Sequence, residues 1–392
     1  MPRPDTLETI EKLIGFDTTS HRSNRKLIDW VSEKLARNGA SCRLTWDESQ
    51  QKANLLASFG PLHIPGYILS AHTDTVPVDG QSWTSPPYTA AIRSERLYGR
   101  GACDMKGFAG LAIAIASRVD VASLRKPLHV ALSCDEEIGC VGVRALIADM
   151  FSQYPRPEGC LVGEPTRMVP VVAHKGKTSF RIHLQGQAAH ASEAPRYASA
   201  LEGLGRVITA LYDLAKLQCA TADPDSGFDL PFSTVNIGCA SGGTAINIVA
   251  AAASCDVEVR HLPGFEPQAL IDEALHNAGL QCERLSITCE TLGSYPGLNQ
   301  DMSDGFIRSA IALSPYPAAA AQRVAFGTEA GLYQQAGIPT LVCGPGSIDQ
   351  AHKPDEYVSL KDLDSCEVML EKLLGEVCKA RFSASTHLGQ IA

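Results

Sequence analysis

Residues 108–118 read FAGLAIAIASR, a run apolar on nearly every side, so the helix it predicts is a buried one. Upstream, YILSA at 67–71 reads as a strand. Downstream, 129–134 reads as another, followed by a helix over 141–150 and a strand over 159–163. A buried helix between apolar strands calls for a covered sheet. Strands alternating with helices predict an α/β sandwich with a mostly parallel sheet. The same pattern extends toward the N-terminus, with helices over 6–14 and 23–38 and strands over 41–45 and 54–58. One more strand is expected at 88–93, before the glycine turn at 99–101.

After His174 the pattern changes. Residues 178–184 alternate like a half-exposed strand, 198–220 form an amphipathic helix, and 234–238 and 255–261 are further alternating strands. A helix over 267–278 and a strand over 283–289 complete the order β-α-β-β-α-β, the ferredoxin-like arrangement. The α/β pattern then resumes, with a helix at 332–336, a strand at 340–343 and a helix at 360–380. The expected organisation is one discontinuous α/β domain, residues 1–174 and 290–392, carrying an inserted α+β domain over 175–289. Two domains also suit the 392 residues, because single cores rarely grow beyond roughly 250–300 residues.

Net charge is −9, with 20% charged and 45% apolar residues. This is a globular composition, and its acidic balance argues against nucleic acid as a partner. No apolar run approaches the roughly 20 residues needed to span a bilayer. The N-terminal residues lack a secretory pattern, so a membrane partner is not expected. Thirteen cysteines are scattered singly, without a CxxC pair and in odd number, which favours reduced thiols and a cytoplasmic location.

The chemistry gathers at strand ends. The strand at 67–71 runs into His72-Thr73-Asp74, and side chains two apart share a face, so Asp74 is placed to orient His72 as a metal ligand. Taken alone, His72 reads more readily as a core histidine hydrogen-bonded to a neighbour. Asp104 follows the glycine turn and precedes the buried helix, where it could be a simple cap. Asp135, Glu136 and Glu137 end the next strand, and adjacent carboxylates are costly without a cation, unless they form a solvated loop. Glu164 and His352 each follow a short apolar strand. Two histidines with several carboxylates and no cysteine suit a catalytic metal site, with enough ligands for two ions.

Five ordered segments carry a resemblance. SAHTDTVP at 70–77, GRGACDMKG at 99–107, DEEIG at 135–139, GEPT at 163–166 and AHKPDE at 351–356 resemble the dinuclear-zinc metallopeptidase and deacylase family. That family includes aminoacylases, carboxypeptidase G-type enzymes, desuccinylases and acetylornithine deacetylases. The resemblance implies His72 and Glu164 on one zinc, Glu137 and His352 on the other, and Asp104 as the bridge. It further implies two Zn(II) per subunit (Co(II) able to substitute), Glu136 as general base and Asp74 as the residue orienting His72. The inserted domain would be a lid and the surface of a homodimer. His190, in QAAHAS at 187–192, would reach the partner subunit's metals to bind the oxyanion.

By the same resemblance Asn247 and Arg260 would grip a substrate carboxylate, although Arg260 reads equally as one arm of a structural salt bridge. The segment FGTEAGL at 326–332 resembles the acetylornithine deacetylase branch. Thr328 and Glu329 are then candidates for the substrate's ammonium end, with a helix cap as the alternative. The implied reaction is hydrolysis of a small N-acyl amino acid, N2-acetyl-L-ornithine, to L-ornithine and acetate. Its rivals are another deacylase on the same scaffold, such as one for N-succinyl-diaminopimelate, or a non-catalytic metal-binding protein.

Overall fold

The computed structural model describes residues 1–279, 285–316 and 321–378. In chain order it opens with α1 (Pro4–Ile14), α2 (Arg25–Ala36), β1 (Ser41–Trp46), β2 (Ala53–Phe59) and β3 (Tyr67–His72). There follow β4 (Ala91–Arg93), β5 (Arg96–Tyr98), α3 (Lys106–Arg118), β6 (Leu128–Ser133), α4 (Gly142–Gln153) and β7 (Gly159–Pro165). The middle of the chain forms β8 (Val171–His174), β9 (Gly176–Gln185), α5 (Ala200–Ala220), β10 (Thr234–Gly242), β11 (Ala252–His261), α6 (Pro267–Asn277) and β12 (Ser286–Tyr295). The last elements are β13 (Leu298–Asn299), α7 (Gly305–Leu313), β14 (Gln322–Val324), α8 (Ala330–Gln335), β15 (Thr340–Gly344), β16 (Tyr357–Ser359) and α9 (Leu360–Val377).

Two compact units result. The first holds the described residues of Met1–Pro170, Asp301–Ala321 and Ala336–Ala392, and the second holds those of Val171–Gln300 and Gln322–Gln335. These bounds differ from the expected 1–174, 175–289 and 290–392, because β8 pairs with β13 and β14 and so keeps those later segments in the second unit.

The first unit is an α/β layer structure. Its sheet runs β1-β2-β6-β3-β7-β15. The pairs β3–β6, β3–β7 and β7–β15 are parallel, while β1–β2 and β2–β6 are antiparallel. Parallel pairing aims the C-terminal ends of β3, β6, β7 and β15 at one edge. Helix α3 is buried from Lys106 to Ala116. It sits tight on the sheet at Gly163, where an added Cβ would fall 1.9 Å from Cγ of Phe108. A larger residue there would force the helix away from the strand that carries Glu164. The expected strand over 88–93 is instead the short β4–β5 hairpin, to which β16 adds a third strand.

The second unit contains an antiparallel sheet in the order β10-β11-β9-β12, connected as β9-α5-β10-β11-α6-β12. This is the ferredoxin-like order. Strands β9 and β11 alternate buried and partly exposed residues. Phe180, Ile182, Val257 and Val259 pack with Leu204, Val207, Leu211 and Ile271 from the two helices. Residues 283 and 284 of the expected last strand, and 379 and 380 of the expected last helix, lie outside the described residues. All described cysteines are free. Among the described residues no helix is long and apolar enough to cross a membrane.

Candidate metal centre

The parallel strands deliver their chemistry to one edge, as open α/β sheets do. His72 is the last residue of β3, Asp135 to Glu137 follow β6, and Glu164 lies near the end of β7. His352 follows β15 through a short loop, and Asp104 stands just before α3. Ligand atoms of His72, Asp104 and Glu164 lie within 4.8 Å of one another, and so do those of Asp104, Glu137 and His352. Asp104 is shared by both triads.

The contacts orient these groups. His72 Nε2 lies 2.9 Å from Asp104 Oδ1. His352 Nε2 lies 3.0 Å from Glu137 Oε2 and 3.4 Å from Asp104 Oδ2. His72 Nδ1 donates to the backbone carbonyl of Asp74 at 3.0 Å, and the Asp74 carboxylate lies farther off at 3.6 Å. That carboxylate instead accepts the N–H groups of Glu136 (3.0 Å) and Glu137 (3.3 Å) and the Ser20 hydroxyl (2.8 Å). Asp74 thus ties the His72 strand to the acidic loop. Lys52 anchors that loop at Asp135 with a 2.6 Å ion pair. Asp135 and His352 both hold positive φ, 57° and 63°, a conformation uncommon outside glycine though more open to Asp and His than to most residues.

The electrostatics ask for positive charge. Burial, reinforced by the charge of Glu137, pushes the Glu136 carboxyl up to about 8. Burial beside Asp104 raises Glu137 as well. Burial would raise Asp104 too, but hydrogen bonds from His352 and His72 hold it well below the usual range. His352 is drawn up to about 10 by its bonds to Asp104 and Glu137. Burial opposes protonation of His72, yet Asp104 and Asp74 lift it well above its ordinary value.

Three carboxylates and two imidazoles therefore form one cluster, in which the imidazoles carry the positive charge. That donor set fits two divalent ions. Each ion would take three protein ligands, all nitrogen or oxygen with Asp104 shared, which would leave a coordination position for water or substrate.

The remaining candidates lie in the second unit. His190 and Asn247 come together there: an isolated bridge joins His190 to Ile248, and the Ala191 N–H donates to the Asn247 carbonyl at 3.0 Å. Arg260 donates to Glu258 at 2.7 Å and to the Tyr295 hydroxyl at 3.0 Å, the salt-bridge alternative. Thr328 accepts the N–H of Ala330 at 3.0 Å, so it makes the cap-type bond at the start of α8. Glu329 is 0% exposed, so pairing directly with a substrate ammonium would require it to become accessible. Sequence reasoning gave no role to Glu356, Arg100, Gln81, Cys140 or Ser20, all of which bond around the centre. Only Glu356 and Arg100 lay inside a quoted segment.

Residues 68–376 match the family described as Peptidase family M20/M25/M40. The chain is 33% identical to an acetylornithine deacetylase of Myxococcus xanthus, over 96% of this chain and 99% of that protein. It is 34% identical to an acetylornithine deacetylase of Edwardsiella ictaluri, over 93% and 94%. Among solved structures, an M20 family metallo-carboxypeptidase from Sulfolobus solfataricus superposes with TM-score 0.75 at 18% identity, over 95% of this chain and 99% of that one. A dinuclear metal-binding peptidase of the M20 family from Bacillus subtilis superposes with TM-score 0.66 at 15% identity, over 94% and 96%. This chain belongs to peptidase family M20/M25/M40 and is a hydrolase of amide bonds.

Proposed function

We propose that the protein is a dinuclear metal-dependent deacylase that converts N2-acetyl-L-ornithine and water into L-ornithine and acetate, a step of arginine biosynthesis. The observation that carries the reading is the pair of ligand triads sharing Asp104, with Glu136 beside them. The substrate comes from the relatives named acetylornithine deacetylase, which this chain matches along nearly their whole length. The metals are a pair of zinc ions, with cobalt able to substitute.

When bound, the ions would polarise the scissile carbonyl and make a water easier to deprotonate. Glu136 accepts the proton of the attacking water and returns it to the departing amine. Asp74 fixes the backbone that carries this base. His190, from the lid of a partner subunit, donates to the oxyanion. Arg260 and Asn247 hold the substrate carboxylate, a task suited to a guanidinium fork. The protein works in the cytoplasm as a homodimer. The scattered free thiols support the location.

Metal analysis combined with a substrate panel tests the reading. With Zn(II) or Co(II) restored, acetylornithine should exceed other N-acetyl amino acids and N-succinyl-diaminopimelate at least about tenfold in kcat/KM. A preference for the succinyl substrate would reassign the acyl group, and no hydrolysis of any member would remove the deacylase reading.

A further inference from the structure

Glu356 belongs to neither triad, yet it is 1% exposed and fully bonded. Its Oε1 accepts the backbone N–H groups of Cys103 at 2.9 Å and Asp104 at 3.0 Å. Its Oε2 accepts the N–H of Gly101 at 3.0 Å and Nη1 of Arg100 at 2.7 Å. Arg100, equally buried, donates from Nη2 to Gln81 Oε1 at 2.6 Å. Gln81 Nε2 in turn donates to the carbonyl of His352 at 2.9 Å. A continuous chain of hydrogen bonds therefore runs from the backbone of Asp104 to the backbone of His352.

We propose that Glu356, Arg100 and Gln81 form a positioning relay that sets Asp104 and His352 in register for two metal ions. The inference rests on the metal-centre reading given above. Two physical points support it. A buried ion pair is weak as a stabilising device, because desolvation offsets most of its attraction. What this pair does supply is direction: the N–H groups of Gly101, Cys103 and Asp104 converge on one carboxylate, and that fixes how Asp104 leaves the loop. At the other end, the Gln81 bond restrains the carbonyl of a residue held at φ 63°. The relay reaches the ligands through their backbones.

The test uses the full chain, stripped with a chelator and titrated with Co(II), followed by calorimetry and visible absorption. Wild type should take up two ions. In Glu356→Gln an amide N–H replaces one accepting oxygen and meets donors. Co(II) affinity should fall about 10–100-fold, the usual cost of losing an outer partner of a metal ligand, and the visible spectrum should change. Gln81→Leu severs only the His352 end, so one ion should weaken about tenfold while the other is retained.

A merely structural role would lower the melting temperature and leave the affinity and spectrum of the folded variant unchanged. Folded variants that bind within twofold of wild type overturn the relay while the metal-centre reading stands. If wild type fails to bind two ions, both fall. If Glu356→Gln does not fold, Gln81→Leu decides alone: selective loss of one ion supports the relay, and unchanged affinity overturns it.

Discussion

A carboxylate that is to accept a proton near neutral pH needs its charge made costly, and Glu136 meets that condition through burial and the neighbouring Glu137. Its backbone is fixed by Asp74, and Cys140 Sγ lies 3.1 Å from its Oε1. Replacing it by glutamine keeps the shape and removes the basicity. Glu136→Gln should therefore retain the metal content of wild type while kcat falls about 10²–10⁴-fold, the usual contribution of a general base. Steady-state kinetics alongside elemental analysis checks this. Unchanged turnover would place the base elsewhere, and loss of metal would make Glu136 a ligand.

At the scale of elements, the sheet carries its own pH response. His129 in β6 is fully buried, its Nδ1 2.8 Å from the Ser58 hydroxyl, and burial depresses it to about 4. Between pH 4 and 6.5 the unfolded chain binds a proton that the folded chain refuses. Stability is thus complete above pH 6.5 and declines as pH falls through that window, by about 1.4 kcal/mol per pH unit for this residue. His129→Gln removes the decline. The stability of the variant relative to wild type should rise steadily from pH 6.5 to 4 in denaturant titrations, and parallel curves would contradict the assignment.

The same strands explain what could be read beforehand. Apolar runs ending in His72, Glu136 and Glu164 announce both the strand and the edge where its side chain emerges. Four residues of β8 are buried without alternation, so Val171–His174 offers no period to detect. Helix α7 starts on a glycine and depends on Asp304 accepting the N–H groups of Phe306 and Ile307. The link from Glu356 to Asp104 spans most of the chain and leaves no local trace.

At the scale of the whole molecule, every candidate ligand lies in one unit, whereas His190, Asn247 and Arg260 lie in the other. If His190 serves the partner subunit's centre, two inactive chains should complement each other. Mixing His190→Ala with Glu136→Gln gives dimers in which one site lacks both groups and one lacks neither. Up to about half of wild-type activity per mixed dimer should return when the sites act independently. No recovery after verified subunit exchange would confine His190 to its own chain or remove it from the reaction.

The sheet order also bears on synthesis. His72, Asp104 and Glu164 leave the ribosome early, but β15, the strand that covers one edge of β7, follows only after the second unit has been made. At 5–20 residues per second, β7 waits roughly 10–40 s with a row of unpaired N–H and C=O groups exposed, a template for any passing chain. His72, Asp104, Glu137 and Glu164 are already made during that interval, but His352 and the Glu356 that accepts the Asp104 N–H follow only after β15. The centre and the sheet that bears it are therefore completed together, by the segment that begins with β15.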